Sequence, residues 1–431
     1  MRLIEAASLK LRTAVFDDDV PAYAILSHTW GPTEVSLQEF ADPSLGAKDT
    51  SMEIGSGYWK IKKACEQAVK DNLKYVWVDT CCIDKTSSSE LSEAINSMFR
   101  WYKEAWVCYA YLADVIGYSH PTEDEDSQKY AEMNRTLVAK SRWFKRGWTL
   151  QELLAPNKIR FYDDTWRYIG TKMQLCRTIE GITGISADVL RTGNMEDESI
   201  AKRMSWMTHR KTTRPEDMAY SLMGIFDVNM PLLYGEGDKA FVRLQEEIMK
   251  DSADNSLFVW NTLRRPDDRS RPAPELSSIF AAWPRQFDTS RIWNKRRLDE
   301  DYARESYALT NLGVHIKLRL KRYDHPWYGT IWGHDYQGKT FVAMLGCQYD
   351  GPDPAFKRCR PGIFLVQISP PRPEYARISN AGVVFTTTNR ETYGALRNKG
   401  IESRVLFTEE DTLQTVYLRK KIPGWAQVPK T

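Results

Sequence analysis

The sequence predicts an α/β protein. A mostly parallel sheet flanked by helices fills residues 1–170, a helical extension follows over 171–260, and a β-rich domain runs from 275 to 431. Three observations predict it. Short apolar runs alternate with stretches of helical period through the first 165 residues, the pattern of strands joined by crossover helices. Between 171 and 258 the apolar residues keep the helical spacing. Beyond a linker at 261–274, rich in Arg, Asp and Pro, the period falls to two.

The elements follow in order. Tyr23–Ser27 is a short apolar strand, closed by the turn signal Gly31-Pro32. Trp59–Val69 places Ile61, Ala64, Cys65, Ala68 and Val69 on one helix face. Tyr75–Val78 is a second strand, running into Asp79–Asp84. Ser89 through Ala105 is a helix with Ile95, Met98, Phe99 and Tyr102 on one side and Ser89 as its N-cap. Val107–Leu112 is a third strand, and the acidic stretch from His120 to Ser127 is a solvated loop. Residues 145–154 form a helix that Pro156 ends, because proline lacks the amide donor and clashes with the preceding turn. Ile159–Tyr162 is the fourth strand. Pro215, Glu216 and Asp217 open a further helix, and Gly237-Asp238 opens another. The β-like runs in the last domain are 314–320, 340–345, 363–368, 383–386, 405–407 and 416–418.

Composition bounds the function. The 60 basic and 57 acidic residues leave a net charge of +3, too balanced for nucleic acid as an obligatory partner. No apolar run approaches the roughly 20 residues that a membrane span needs. The seven cysteines show no CxxC spacing, and the first residues carry no secretory signal. The chain is expected in the reducing cytoplasm, with its thiols free.

Chemistry concentrates at the predicted strand ends, where open α/β sheets bind ligands. Ser27, His28 and Trp30 follow the first strand, and Asp79, Cys82 and Asp84 follow the second. Glu152 lies four residues after Trp148, a spacing that stacks the two side chains on one helix face. A carboxylate beside an indole can hold a sugar and a base, or can simply cap a core. Neither a GxGxxG nor a Walker loop is present, and no spacing suits a metal site.

These blocks resemble a known family. Tyr23–Gly31, Val76–Asp84 and Arg146–Pro156 are similar to the three signature blocks of the fungal heterokaryon incompatibility (HET) domain. Thr212–Asp217 and Met230–Gly237 resemble the segment that follows it, so the likeness covers roughly residues 1–260. The β-rich remainder is only loosely similar to C-terminal regions of the family. The resemblance implies a cell-death effector of nonself recognition, with a fold distantly similar to the Toll/interleukin-receptor (TIR) domain. Some TIR domains cleave NAD at the nicotinamide–ribose bond with a glutamate in a helix similar to Trp148–Leu153. By that likeness Glu152 is the catalytic residue of an NAD glycohydrolase, with NAD as substrate and no cofactor. The implied partners are further copies of the chain and an upstream recognition protein. The alternative is a TIR-like module that self-assembles and signals without turnover.

That chemistry suits the residues. Cleavage passes through an oxocarbenium-like state, which a carboxylate stabilises. Trp30 or Trp148 would stack on a ring, and Ser27, His28, Asp79, Cys82 and Asp84 would line the ribose or phosphate. The plainer readings stand beside these. Glu152 also reads as a helix-end carboxylate paired with Arg146 or Arg142, His28 as a buried hydrogen-bonded imidazole, and Cys81 and Cys82 as small core residues. Asp79 and Asp84 equally read as loop caps.

Overall fold

The computed structural model describes residues 1–13, 20–42, 53–116, 127–261, 276–288 and shorter stretches between 293 and 421. The predicted acidic loop, up to residue 126, and nearly all of the predicted linker at 261–274 lie outside them. The chain divides into two compact units. One comprises Met1–Asn194 with His209–Tyr234, the other Met195–Thr208 with Gly235–Thr431.

The first unit is built on a seven-stranded sheet. Its strands are β1 (Arg2–Glu5), β2 (Lys10–Thr13), β3 (Tyr23–His28), β4 (Tyr75–Trp77), β5 (Val107–Tyr111), β6 (Ile159–Tyr162) and β7 (Tyr168–Thr171). Their order is β2-β1-β4-β3-β5-β6-β7. The four predicted strands form the parallel centre, β4-β3-β5-β6. They read as near-continuous apolar runs because helices cover both faces: all six residues of β3 and all five of β5 are buried. The antiparallel additions at the two edges, β1–β2 and β7, have no counterpart in the sequence reading. Half-exposed strands of four residues are too short to show a period.

Two long helices make the crossovers. Helix α1 (Gly57–Lys70) is capped by Ser56, whose hydroxyl accepts from the Trp59 amide. Helix α2 (Ser88–Glu104) joins β4 to β5, and its N-cap is Ser87 rather than the expected Ser89. The two lie on opposite faces. Trp59 of α1 packs on Tyr111, which is in register with His28. Trp101 and Tyr102 of α2 pack on Trp77, in register with Ile25. Alternate residues of a strand face opposite ways, so Ile25 and His28 look to different sides. Each of these fully buried aromatic side chains is worth about 1.5–3 kcal/mol in apolar burial.

The second unit contains the helix Lys239–Asp251 and a β-rich sheet. Five strands close on themselves: Gly313–Arg322, Thr340–Met344, Arg360–Gln367, Glu374–Ile378 and Leu413–Leu418. The result is a barrel-like sheet, extended beside Arg360–Gln367 by Val383–Thr387 and Arg404–Leu406, and all six predicted runs fall on these strands. Alternation at 314–320 is real, with Val314, Ile316, Leu318 and Leu320 buried and Lys317 exposed. Glu374–Ile378 escaped the reading because Arg377 interrupts its apolar residues. That side chain is buried and donates to the carbonyls of Phe258, at 2.6 Å, and Trp260. Among the described residues, the helix Arg390–Asn398 interrupts the strands in this region.

Candidate functional site

Strand β3 comes first among the parallel strands, with β4 on one side and β5 on the other. The crossovers to them run over opposite faces, so the chain reverses its winding direction at β3. In open α/β sheets the crevice beyond the strand ends at such a switch point is the ligand site. Ser27 and His28 are the last residues of β3, and Asp79 lies two residues beyond β4.

Glu152 reaches this crevice from a short helix, α3 (Thr149–Leu154), every residue of which is buried. A 3-10 turn at Arg142–Lys145 precedes it. The Ser27 hydroxyl donates to Glu152 Oε2 and accepts from Trp143 Nε1 at 2.8 Å. Tyr102 gives its single proton to the Leu26 carbonyl, at 3.0 Å. Burial pushes the Glu152 carboxyl up to about 8, and nearby Asp79 adds to this, while Ser27, Arg146 and Tyr102 pull less strongly the other way. Glu152 is only 6% exposed and is mostly protonated at neutral pH.

Asp79 sits beside it in the opposite state. Burial opposes its ionisation, but His28, Lys85 and Trp30 outweigh this and hold it well below the usual carboxylate range. Trp30 Nε1 donates to Asp79 Oδ2 at 2.8 Å. His28 Nε2 stands 3.2 Å from Asp79 Oδ1, outside hydrogen-bond geometry. Nδ1 of His28 is buried with no hydrogen-bond partner among the described residues. Two carboxyls a short way apart, one ionised and one neutral, form the arrangement in which acid and base roles are separated.

A distant segment fixes the base of α3. Lys211 pairs with the turn before the helix: its amide donates to the Lys145 carbonyl at 2.7 Å, and its carbonyl accepts from Gly147 at 2.8 Å. Arg210, buried, donates to the Arg146 carbonyl and to Thr149 Oγ1, each at 3.0 Å. Burial pulls its guanidinium down to about 9, and Glu152 opposes that. Trp148 hydrogen-bonds to Asp217, which also accepts from Tyr234 at 3.1 Å.

The structure thus brings Glu152, Ser27, His28, Trp30 and Asp79 together. Trp148 points instead to Asp217, although it is four residues from Glu152. Cys82 is buried, its sulfur accepting from the Val78 amide at 3.4 Å, and all seven cysteines are free. Asp84 caps its own loop, accepting from Thr86 and from Gln38 at 3.0 Å. Glu152 forms no direct ion pair with Arg142, which binds Asp114 at 3.3 Å. Trp143, Tyr102, Lys85 and Arg210 were missed as site residues. Trp143 was visible within a motif but reads as core, and nothing in the local pattern ties Arg210 to a helix 58 positions earlier. No cluster suited to a metal ion occurs among the described residues, and no described helix is long and apolar enough to cross a membrane.

Comparison with known proteins matches two regions of the chain. The heterokaryon incompatibility protein (HET) family model matches residues 23–152. A domain of unknown function (DUF8212) matches residues 239–358. The vegetative incompatibility protein HET-E-1 of Podospora anserina is 47% identical over 257 residues, covering 58% of this chain. The chain spans only 18% of that protein's length. No solved structure matches significantly. The matched region begins at the first residue of β3 and ends on Glu152, and this chain carries a heterokaryon incompatibility (HET) domain.

Proposed function

We propose that this chain acts in heterokaryon incompatibility as a cell-death effector, and that its first unit hydrolyses NAD at the nicotinamide–ribose bond. The observation that carries the reading is the place of Glu152: a buried carboxyl at the winding reversal of a parallel sheet, beside an ionised Asp79. The similarity to an incompatibility protein supports the cellular role. The TIR-like mechanism is part of the same proposal.

In this mechanism the positive charge of bound NAD favours ionisation of Glu152, whose proton leaves to solvent. The C1′–nitrogen bond breaks, its electron pair goes to nicotinamide, and the carboxylate stabilises the oxocarbenium-like ribose. Water then attacks C1′ and loses a proton to the medium, giving ADP-ribose. Ser27 and Trp143 hold the carboxylate in place, and His28 and Trp30 hold Asp79.

A second reading has one observation in its favour. A glutamate that is 6% exposed and largely protonated also suits a structural role, in a domain that self-assembles and signals without turnover. Release of nicotinamide from NAD by the purified chain separates the two, with forced dimerisation included because self-assembly is expected in both.

A further inference from the structure

Lys85 and Arg146 gather at the exposed indole of Trp30. Lys85 Nζ lies 3.9 Å from the Trp30 ring centroid, and Arg146 Cζ lies 5.2 Å from it. The pairing of residues 145–147 with Lys211 sets Lys145-Arg146 beside Arg210-Lys211, so two dibasic steps 65 positions apart in sequence become neighbours. Lys85, Lys145 and Lys211 are exposed and Arg146 is half-buried. None of these four is in direct ion-pair contact with a carboxylate among the described residues. Lys85 acts on Asp79, and Arg146 on Glu152 and Asp217, only through space, and Asp79 is also held by Trp30 and His28. Trp30 is 45% exposed, so this charge meets solvent at the indole.

We propose that Lys85 and Arg146, held against Trp30 and supported by Lys145 and Lys211, form the subsite that takes the diphosphate of the substrate dinucleotide. This rests on the NAD reading above and adds what recognises the substrate. Cations that are already placed and make no direct ion pair attract phosphate at little reorganisation cost, and an arginine fork with a lysine point charge is a common phosphate-binding pair. Cation–π contact with Trp30 holds both groups without neutralising them. The indole, already carrying Lys85, then serves to position cations more than to stack on a base.

Calorimetric titration of the whole chain tests this, with NAD, ADP-ribose, pyrophosphate and nicotinamide riboside as ligands. The double substitution Lys85→Gln with Arg146→Gln should weaken NAD, ADP-ribose and pyrophosphate by about 10-fold or more, the scale of losing charged hydrogen bonds. It should leave nicotinamide riboside, which has no phosphates between two nucleosides to place, within about twofold. Exchange of the same charges, Lys85→Arg with Arg146→Lys, should restore most of the loss. Equal NAD binding by the wild type and the double glutamine variant overturns the subsite and leaves the NAD reading standing. Tight pyrophosphate binding that the variant loses, with no NAD binding at all, supports the cationic subsite and removes NAD as its ligand. Wild-type protein that binds none of the phosphorylated ligands overturns both.

Discussion

The Ser27 hydroxyl donates a hydrogen bond to Glu152, joining the end of strand β3 to helix α3 across 125 positions of sequence. The same hydroxyl accepts from Trp143, so one serine couples the strand, the turn before the helix and the helix itself. Ser27→Ala removes the donor to Glu152 and leaves Trp143 Nε1 without its partner in a buried site. The cost is predicted at about 1–3 kcal/mol. A shift in the urea midpoint with an unchanged slope would show it; an unchanged midpoint would mean that water replaces the hydroxyl.

Glu152 should make stability depend on pH in a defined direction. Its carboxyl is raised in the folded protein from 4.5 to about 8 by burial. The neutral form is favoured on folding, so its contribution is fully present below pH 4.5 and is lost as pH rises through 8. Glu152→Gln keeps a neutral side chain at every pH. The variant should match the wild type near pH 4.5 and become progressively more stable than it up to pH 9. Melting temperatures measured across that range check this, and a constant difference would exclude a raised Glu152.

Asp79 behaves oppositely. Burial works against its charge, yet His28, Lys85 and Trp30 keep it ionised. Asp79→Asn removes the negative charge beside His28 and weakens the Trp30 contact, with a predicted loss of about 1–3 kcal/mol at pH 7. Because the folded carboxyl is depressed, that contribution is present above pH 3.8 and falls away as pH drops further. The difference between wild type and variant should therefore shrink below pH 3.8, as read by denaturant titration.

Much of this was legible in the sequence, for physical reasons that differ by element. The parallel strands were visible because burial on both faces leaves unbroken apolar runs such as Tyr23–Leu26 and Val107–Tyr111. The barrel-like strand at 313–322 was visible because one face is wet and the period is two. The edge strands were hidden by their shortness, and Glu374–Ile378 by a buried Arg377 that behaves as a carbonyl-binding core residue. At the site, strand ends identified Ser27, His28, Trp30 and Asp79, since polar residues after apolar runs gather at one sheet edge. Helical spacing misled for Trp148. It shares a face with Glu152 in an ideal helix, but α3 begins only at Thr149, and Trp148 turns to Asp217. Arg210 and Lys211 could not be read at all, because tertiary pairing alone brings them to residues 145–149.

The central claim is that Glu152 does chemistry on NAD, and its most direct test is the rate of nicotinamide release by the whole chain, wild type against Glu152→Gln, under forced dimerisation across pH 6–9. Loss of a charge partner in the transition state predicts a fall of about 10²-fold or more in the variant, with its fold retained. The wild-type kcat/KM should rise toward pH 8, as Glu152 ionises, and the residual activity of the variant should lack that rise. Equal turnover by the two proteins, or no nicotinamide release by dimerised wild type at any pH, would contradict the account.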